Sequence, residues 1–169
     1  MDKDETEEKP FVTVEGDYHD FPESVENLYE YKTAGHVYKV DGKYVVLSYS
    51  EREKCVGGIL SRLLKTRVYM VPKVYLPEGV STPDYITETG VKYDLKEIYG
   101  NGRNTIASAL QKKMKQSARF ILDIKDECAF SDDSIKQDVI RIISNPRTAF
   151  IKEIIVIRRS EIVMIMKKS

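Results

Sequence analysis

The chain lacks most of the features that stabilise secreted or membrane-spanning proteins. Its 169 residues include only two cysteines, Cys55 and Cys128, which form no disulfide framework and indicate a reducing compartment. No apolar run reaches the length of a membrane span, and the N-terminus lacks the basic and then apolar pattern of a signal peptide. These absences predict a soluble globular protein.

Histidine is equally scarce, which limits the available chemistry. His19 and His36 have no partner at a metal-ligand spacing, so a histidine-based ribonuclease mechanism is disfavoured. The glycine-containing segment 100–104 precedes a predicted helix but lacks the lysine and hydroxyl residue of a P-loop, so it predicts no nucleotide site. It is either a loop over a nucleic-acid backbone or a plain linker.

The formal net charge of zero hides an uneven distribution. Residues 1–30 contain 11 acidic side chains and two lysines, a net charge of −9, so the other residues carry +9. A basic body favours association with a polyanion, because counterions are released from phosphates. An ordinary solvated surface with a disordered acidic tail explains the same charges.

Hydrophobic periodicity predicts a mixed α/β fold in which helices cover a central sheet. Residues 1–10 are predicted to be a disordered acidic leader, 11–49 a small N-terminal subdomain and 50–169 the main domain. In the subdomain, we expect one or two helical turns in 24–31 and a hairpin formed by 37–40 and 43–47. The main domain is predicted to have helices at 51–65, 104–118 and 132–143, and strands at 67–71, 83–87, 91–97, 120–124, 151–157 and 161–166, the last two forming a C-terminal hairpin.

Two aspartates and a lysine are predicted to lie together on one face of this sheet. Strand alternation points Asp94 and Lys96 in one direction, and Tyr93 in the other. If the turn is Glu88-Thr89-Gly90, Asp84 lies directly opposite Asp94. Like charges about 5 Å apart repel one another unless a cation lies between them. The sequence therefore predicts a divalent metal site with a nearby ammonium. The alternative is a strand-start cap at Asp84 beside a solvated strand edge.

A third metal ligand is predicted at the start of the first helix. Glu51 shares a helical face with Cys55 and Ile59, and this face is expected to point inward. Glu53 lies on the neighbouring stripe with Val56 and is the second choice. Either glutamate could instead be a surface acid at the helix start, where carboxylates favour the helix dipole.

The pattern Pro83-Asp84 … Asp94-Leu95-Lys96 resembles that of the PD-(D/E)XK nuclease superfamily. The segment 50–124 is most similar to the transfer-RNA nuclease domains at the C-termini of contact-dependent growth inhibition toxins, and related domains occur in phage head-associated proteins. The resemblance implies a restriction-endonuclease-like core of helix, three strands, helix and strand. It also implies that Glu51, Asp84 and Asp94 bind Mg²⁺ or Mn²⁺, that Lys96 is catalytic and that Gln116 positions substrate or water.

The resemblance further implies an endonuclease toxin that hydrolyses RNA, above all transfer RNA, in the bacterial cytoplasm after delivery as part of a larger toxin. A cognate immunity protein is the implied partner. A basic helix side suits the phosphate backbone of nucleic acid, and its residues are Arg103, Lys112, Lys113 and Lys115. The alternatives are a DNA endonuclease of the same fold and a non-catalytic phage or mobile-element protein that binds nucleic acid.

Overall fold

The computed structural model describes residues 21–100, 105–111 and 117–168. Within these ranges, the helices are α1 (Glu51–Leu64), α2 (Thr105–Gln111) and α3 (Asp132–Ile143), with a 3₁₀ turn at Pro146–Thr148. The strands are β1 (Val25–Asn27), β2 (Glu30–Thr33), β3 (His36–Lys39), β4 (Val45–Val46), β5 (Val68–Met70), β6 (Lys73–Val74), β7 (Tyr85–Thr87), β8 (Lys92–Ile98), β9 (Arg119–Ile124), β10 (Glu153–Arg158) and β11 (Glu161–Lys167).

The central element is a seven-stranded mixed sheet in the order β1-β5-β7-β8-β9-β10-β11. The pairs β1–β5, β8–β9 and β9–β10 are parallel, whereas β5–β7, β7–β8 and β10–β11 are antiparallel. Helices flank the sheet, and β10 and β11 form the closing hairpin. The predicted mixed α/β fold is therefore confirmed. β1, which lies within the predicted N-terminal subdomain, is an edge strand of this sheet.

The two faces of the sheet form two separate cores. The first lies between the sheet and α1 and includes Val56, Tyr85 and Leu95. The second lies on the opposite face and contains residues of α2 and α3, packed on Phe120 and Ile154. Side chains of successive strand residues alternate between these cores. The sheet is therefore covered on both faces.

The first helix begins and ends as its sequence predicts. The Ser50 hydroxyl accepts a hydrogen bond from the Glu53 backbone N–H at 3.1 Å, and the Glu53 carboxylate accepts one from the Ser50 N–H at 3.4 Å. This capping box fixes the Glu53 side chain at the helix start. Gly57 lets the helix approach Tyr85, whose Cε1 would lie 3.1 Å from a Cβ added there.

The predictions for residues 24–47 were partly wrong. The expected helical turns in 24–31 are strands β1 and β2, because β1 pairs with β5 and β2 pairs with β3. The segment 43–47 does not form a hairpin with 37–40, since β4 pairs with the distant strand β6. These pairings join residues far apart in sequence, and local propensity does not encode them.

In the described part of the chain, no helix combines the length and apolar composition needed to cross a membrane.

Candidate active-site cleft

The turn between β7 and β8 sets the register of the candidate site. Gly90 adopts a φ of 88°, and Thr87 N–H donates to the Val91 carbonyl at 2.8 Å, closing a three-residue turn. Tyr85 pairs with Tyr93. Continuing this register by one residue places Asp84 opposite Asp94, as predicted.

The two strands separate just beyond this pair. The Asp84 carbonyl accepts a hydrogen bond from Val71 N–H at 3.1 Å on the β5 side. Its side chain turns towards β8, where Oδ2 accepts the Leu95 N–H at 2.8 Å. β8 continues to Ile98 beside β9. A cleft therefore opens along the β8 edge where β7 no longer pairs with it.

This cleft has a volume of about 360 Å³ and a strongly charged lining. Consecutive residues of β8 line it together, because the open strand edge exposes both sides of the strand. Three carboxylates and two ammonium groups are present. The lining residues are Glu53, Lys73, Asp84, Leu95, Lys96, Glu97 and Tyr99.

Asp94 lies beside the cleft but is not part of its lining. Only 1% of its surface is exposed. Tyr93 and Leu95 belong to the α1 core, so strand alternation directs Asp94 and Lys96 towards the opposite face. The structure thus brings Asp84 and Lys96 into one cavity, and Asp94 lies behind it, next to Leu95, whose N–H donates to Asp84.

The expected position of Glu51 was wrong, and Glu53 occupies the cleft instead. Both Glu51 and Cys55 are exposed, so the stripe that contains them faces solvent. The buried stripe contains Val56 and Leu60, and Glu53 lies one turn before them. Gly57 lies on this buried side, where a Cβ would be 3.1 Å from Tyr85 Cε1, so the helix approaches the sheet there.

A buried ion-pair network next to the cleft was not predicted. Asp123 is 1% exposed and accepts hydrogen bonds from Arg52 Nε at 2.7 Å, Arg52 Nη2 at 2.9 Å and Lys125 Nζ at 2.9 Å. Lys125 Nζ also lies 3.0 Å from the Glu97 carboxylate. Glu97, which lines the cleft, therefore belongs to the ion-pair network. A lone acid inside the apolar strand 120–124 was the available signal, because buried carboxylates are almost always paired.

The network fixes the charges of its members. Burial raises the pKa of Asp123, but hydrogen bonds from Arg52 and Lys125 outweigh burial and lower the pKa overall. Arg52 also donates to the Ser160 hydroxyl at 3.0 Å. Since Arg52 directly precedes Glu53, the network anchors the start of α1 to the sheet and to the β10–β11 turn.

The cleft offers carboxylate oxygens, which are the ligands that a divalent metal such as Mg²⁺ prefers. Among residues 21–100, 105–111 and 117–168, no three acidic, histidine or cysteine side chains converge into a metal cluster. Mg²⁺, however, is commonly held by one or two carboxylates together with waters and substrate phosphates. A carboxylate has about four lone-pair sites, so Asp84 can accept the Leu95 N–H and still bind a cation. Asp84 and Glu53 therefore fit a metal whose shell the substrate completes.

Lys73 is a further cleft residue that the sequence analysis missed. It enters from β6, whose pairing with β4 is nonlocal, so no local pattern pointed to it. Five predicted residues lie outside the described ranges, and their predictions stay untested. They are Gln116, Arg103, Lys112, Lys113 and Lys115.

Comparison with known families matches residues 81–163 to the contact-dependent growth inhibition CdiA C-terminal domain. The matched segment includes Asp84, Asp94 and Lys96, whereas α1 precedes it. No curated protein and no solved structure matches the chain. The match covers just under half of the 169 residues. It supports a contact-dependent growth inhibition toxin domain that contains the β7–β8 hairpin, while Glu53 and Lys73 of the cleft lie outside the matched residues.

Proposed function

We propose that the chain is a metal-dependent nuclease toxin that hydrolyses phosphodiester bonds in RNA, with transfer RNA as the first candidate substrate. The observation that carries this proposal is the shared position of Asp84 and Lys96 in the cleft where β7 and β8 separate. The similarity of residues 81–163 to CdiA C-terminal domains supports the toxin context. An immunity protein and delivery into the cytoplasm of a target bacterium, as part of a larger toxin, belong to the same proposal.

Asp84 and Glu53, which both line the cleft, are the proposed ligands of Mg²⁺ or Mn²⁺. Asp94, the other ligand that the family resemblance implies, is buried on the opposite face of the sheet and is left out of this set. When bound, such an ion polarises a phosphoryl oxygen and lowers the pKa of a bound water. Glu53 replaces Glu51 in this set, because only Glu53 lines the cleft. The capping box holds Glu53 in place, and the hydrogen bond to Leu95 N–H holds Asp84.

The two lysines of the cleft have separate proposed roles. Lys96 presents its ammonium beside Asp84, where it offsets negative charge that develops on the phosphoryl group during cleavage. Lys73 reaches the same cavity from β6, and its proposed role is to bind a phosphate of the RNA next to the one that is cut. Substrate binding and charge stabilisation are thereby divided between two sheets.

A cleavage assay tests this assignment. The purified full chain is incubated with total RNA or with duplex DNA, in Mg²⁺ and in excess chelator. We expect RNA cutting in Mg²⁺ alone, and a loss of about 100-fold or more in Asp84→Asn and Lys96→Met. Lys54→Met, which alters an exposed residue of α1 outside the cleft, serves as the matched control and should cut normally.

The variants keep the fold if their urea unfolding midpoints match that of the parent chain. Asparagine retains a side-chain oxygen that can accept the Leu95 N–H, so Asp84→Asn should pass this check. Cutting that persists in chelator contradicts the metal assignment. Preferential cutting of duplex DNA assigns the domain to DNA, and failure to cut either substrate leaves a non-catalytic binding protein.

A further inference from the structure

The small β4–β6 ribbon has one buried side and one exposed side. Val45 pairs with Val74, and Val45 is 5% exposed, so this side of the ribbon packs inward. The next pair outward is Tyr44 with Tyr75, since Tyr75 N–H donates to the Tyr44 carbonyl at 2.7 Å. Strand alternation therefore turns both tyrosines away from the core.

The exposed side of the ribbon is aromatic. Tyr44 is 41% exposed and Tyr75 is 55% exposed. Lys73 lies two residues before Tyr75 and hence on the same side of β6. Because Lys73 also lines the cleft, the aromatic side continues outward from the cleft wall.

Cations accompany these rings. Lys43 Nζ lies 4.8 Å from the ring centroid of Tyr44 and covers one face of that ring. Tyr75, the more exposed tyrosine of the pair, is the next residue after Lys73 on this side of the chain, counting outward from the cleft. Nucleobases stack on exposed aromatic rings, while neighbouring cations hold the backbone that links the bases. A nucleic-acid strand whose phosphate enters the cleft would place its adjacent bases at this ribbon.

We propose that Tyr75 and Tyr44 form a stacking platform for unpaired nucleobases beside the bond that is cut, so that the cleft accepts a single-stranded segment. This inference rests on the proposed nuclease function and adds the conformation of its substrate. Bases of an intact duplex are already stacked and paired, and their faces cannot lie on a tyrosine ring unless the duplex opens. The platform is thus the element that selects loops and unpaired ends.

Binding measured without cleavage tests the platform. The full chain in excess chelator is titrated into a dye-labelled single-stranded RNA oligonucleotide, and fluorescence anisotropy gives its Kd. Tyr75→Ala should weaken binding about tenfold, and Tyr44→Ala by less because Lys43 covers one ring face. Tyr75→Phe keeps the ring and should bind like the parent. Tyr29→Ala removes a tyrosine that is 64% exposed but lies outside the ribbon, and should also bind like the parent.

Two results overturn the inference. One is an unchanged Kd in Tyr75→Ala, which would show that the ribbon does not bind the RNA. The other is an equal loss in Tyr29→Ala, which would indicate non-specific stickiness of exposed tyrosines. A duplex of the same sequence should bind weakly and with no dependence on Tyr75.

The inference and the nuclease proposal can fail separately. If Tyr75→Ala loses binding but Asp84→Asn cuts RNA normally, the platform stands and the assigned cleavage chemistry fails. If Asp84→Asn abolishes cutting while Tyr75→Ala binds and cuts the unpaired strand as the parent does, only the platform is rejected. A chain with no affinity for RNA rejects both.

Discussion

Two buried carboxylates lie on the same face of the sheet, at opposite ends, and their surroundings differ. Asp123, beside the cleft, is held by Arg52 and Lys125 within 2.9 Å. Glu153, four residues earlier in the register of β9 and β10, accepts from the Tyr93 hydroxyl at 3.0 and 3.1 Å. Arg119 Nε lies 3.6 Å from its carboxylate.

The pKa values of the two groups move in opposite directions. Burial raises the pKa of Glu153, and the opposing effects of Lys167, Tyr93 and Arg119 do not reverse this shift. The pKa of Asp123 is lowered, because its two direct cation partners outweigh burial. Similar burial therefore accompanies opposite pKa shifts, because Asp123 accepts hydrogen bonds from two cations whereas Glu153 accepts them from a neutral hydroxyl.

The openings at the two ends differ as well. The Glu153 end borders a basic groove of about 600 Å³ that includes Arg119, Lys152 and Lys167. Glu153 is the one carboxylate among the groove's described lining residues, and it accepts a hydrogen bond from the Tyr93 hydroxyl. At the other end, Asp84 and Glu53 line an open cleft beside two lysines. The carboxylates proposed to bind a metal, Asp84 and Glu53, therefore lie at the cleft end of the sheet. The described lining of the groove at the other end contains more basic than acidic side chains.

The largest expected contrast between the ends is in catalysis. Glu53→Gln removes a proposed metal ligand and should lower RNA cutting about 100-fold, while glutamine still completes the capping box. Glu153→Gln should cut like the parent chain, because it lies at the far end of the sheet. Initial cleavage rates at matched substrate concentration measure this contrast. Glu51→Gln is the control on the same helix, and a loss there equal to that of Glu53→Gln would reject the assignment.

A smaller contrast is expected in stability. Asp123→Asn leaves two cations at a buried site without their carboxylate, and should lower the free energy of unfolding by about 3 kcal/mol at pH 7. Asp126→Asn breaks an exposed pair with Arg159 and should change it by less than about 0.5 kcal/mol. Urea unfolding followed by circular dichroism gives both values. Similar values for the two variants would mean that the buried network does not anchor α1.

The smallest contrast is in the pH dependence of stability. The folded pKa of Asp123 is lowered from 3.8, so its stabilisation is present above pH 3.8 and is lost as pH falls through the folded pKa. The folded pKa of Glu153 is raised from 4.5, so its contribution is full below pH 4.5 and is lost as pH rises through the folded pKa. Unfolding midpoints measured against pH should therefore separate the two variants.

Relative to Asp123→Asn, the parent chain should lose its advantage in acid. Relative to Glu153→Gln, the parent chain should gain stability as the pH falls from 7 towards 4.5. Difference curves with the same slope would contradict the opposite pKa shifts of the two carboxylates.

The sequence predicted the parts of this molecule that depend on local chemistry. The Ser50 cap, the strand alternation around Asp94 and the Gly90 turn each follow from a few neighbouring residues, and the structure agrees with each. The resemblance to contact-dependent growth inhibition toxins was also carried by a short segment, and the match to the CdiA C-terminal domain over residues 81–163 supports it, whereas the PD-(D/E)XK superfamily stays a prediction.

The missed features depend on contacts between residues distant in the chain. Arg52 and Asp123 are 71 residues apart, and no pattern within either segment couples them. Lys73 reaches the cleft only because β6 pairs with β4. The choice of Glu51 over Glu53 assumed that Cys55 was buried, whereas the cysteine is exposed. The helix instead approaches the sheet at Gly57, on the side that contains Val56 and Leu60.

The hydrogen bond from Leu95 N–H to Asp84 has a consequence for self-association. Where β7 stops, the exposed edge of β8 is a template on which a strand of another molecule could add. The Asp84 side chain occupies the first donor of that edge and adds a negative charge there. A chain that lost this carboxylate to an apolar residue would expose an adhesive strand edge, so the same group that is proposed to hold the ion also protects the molecule from aggregation.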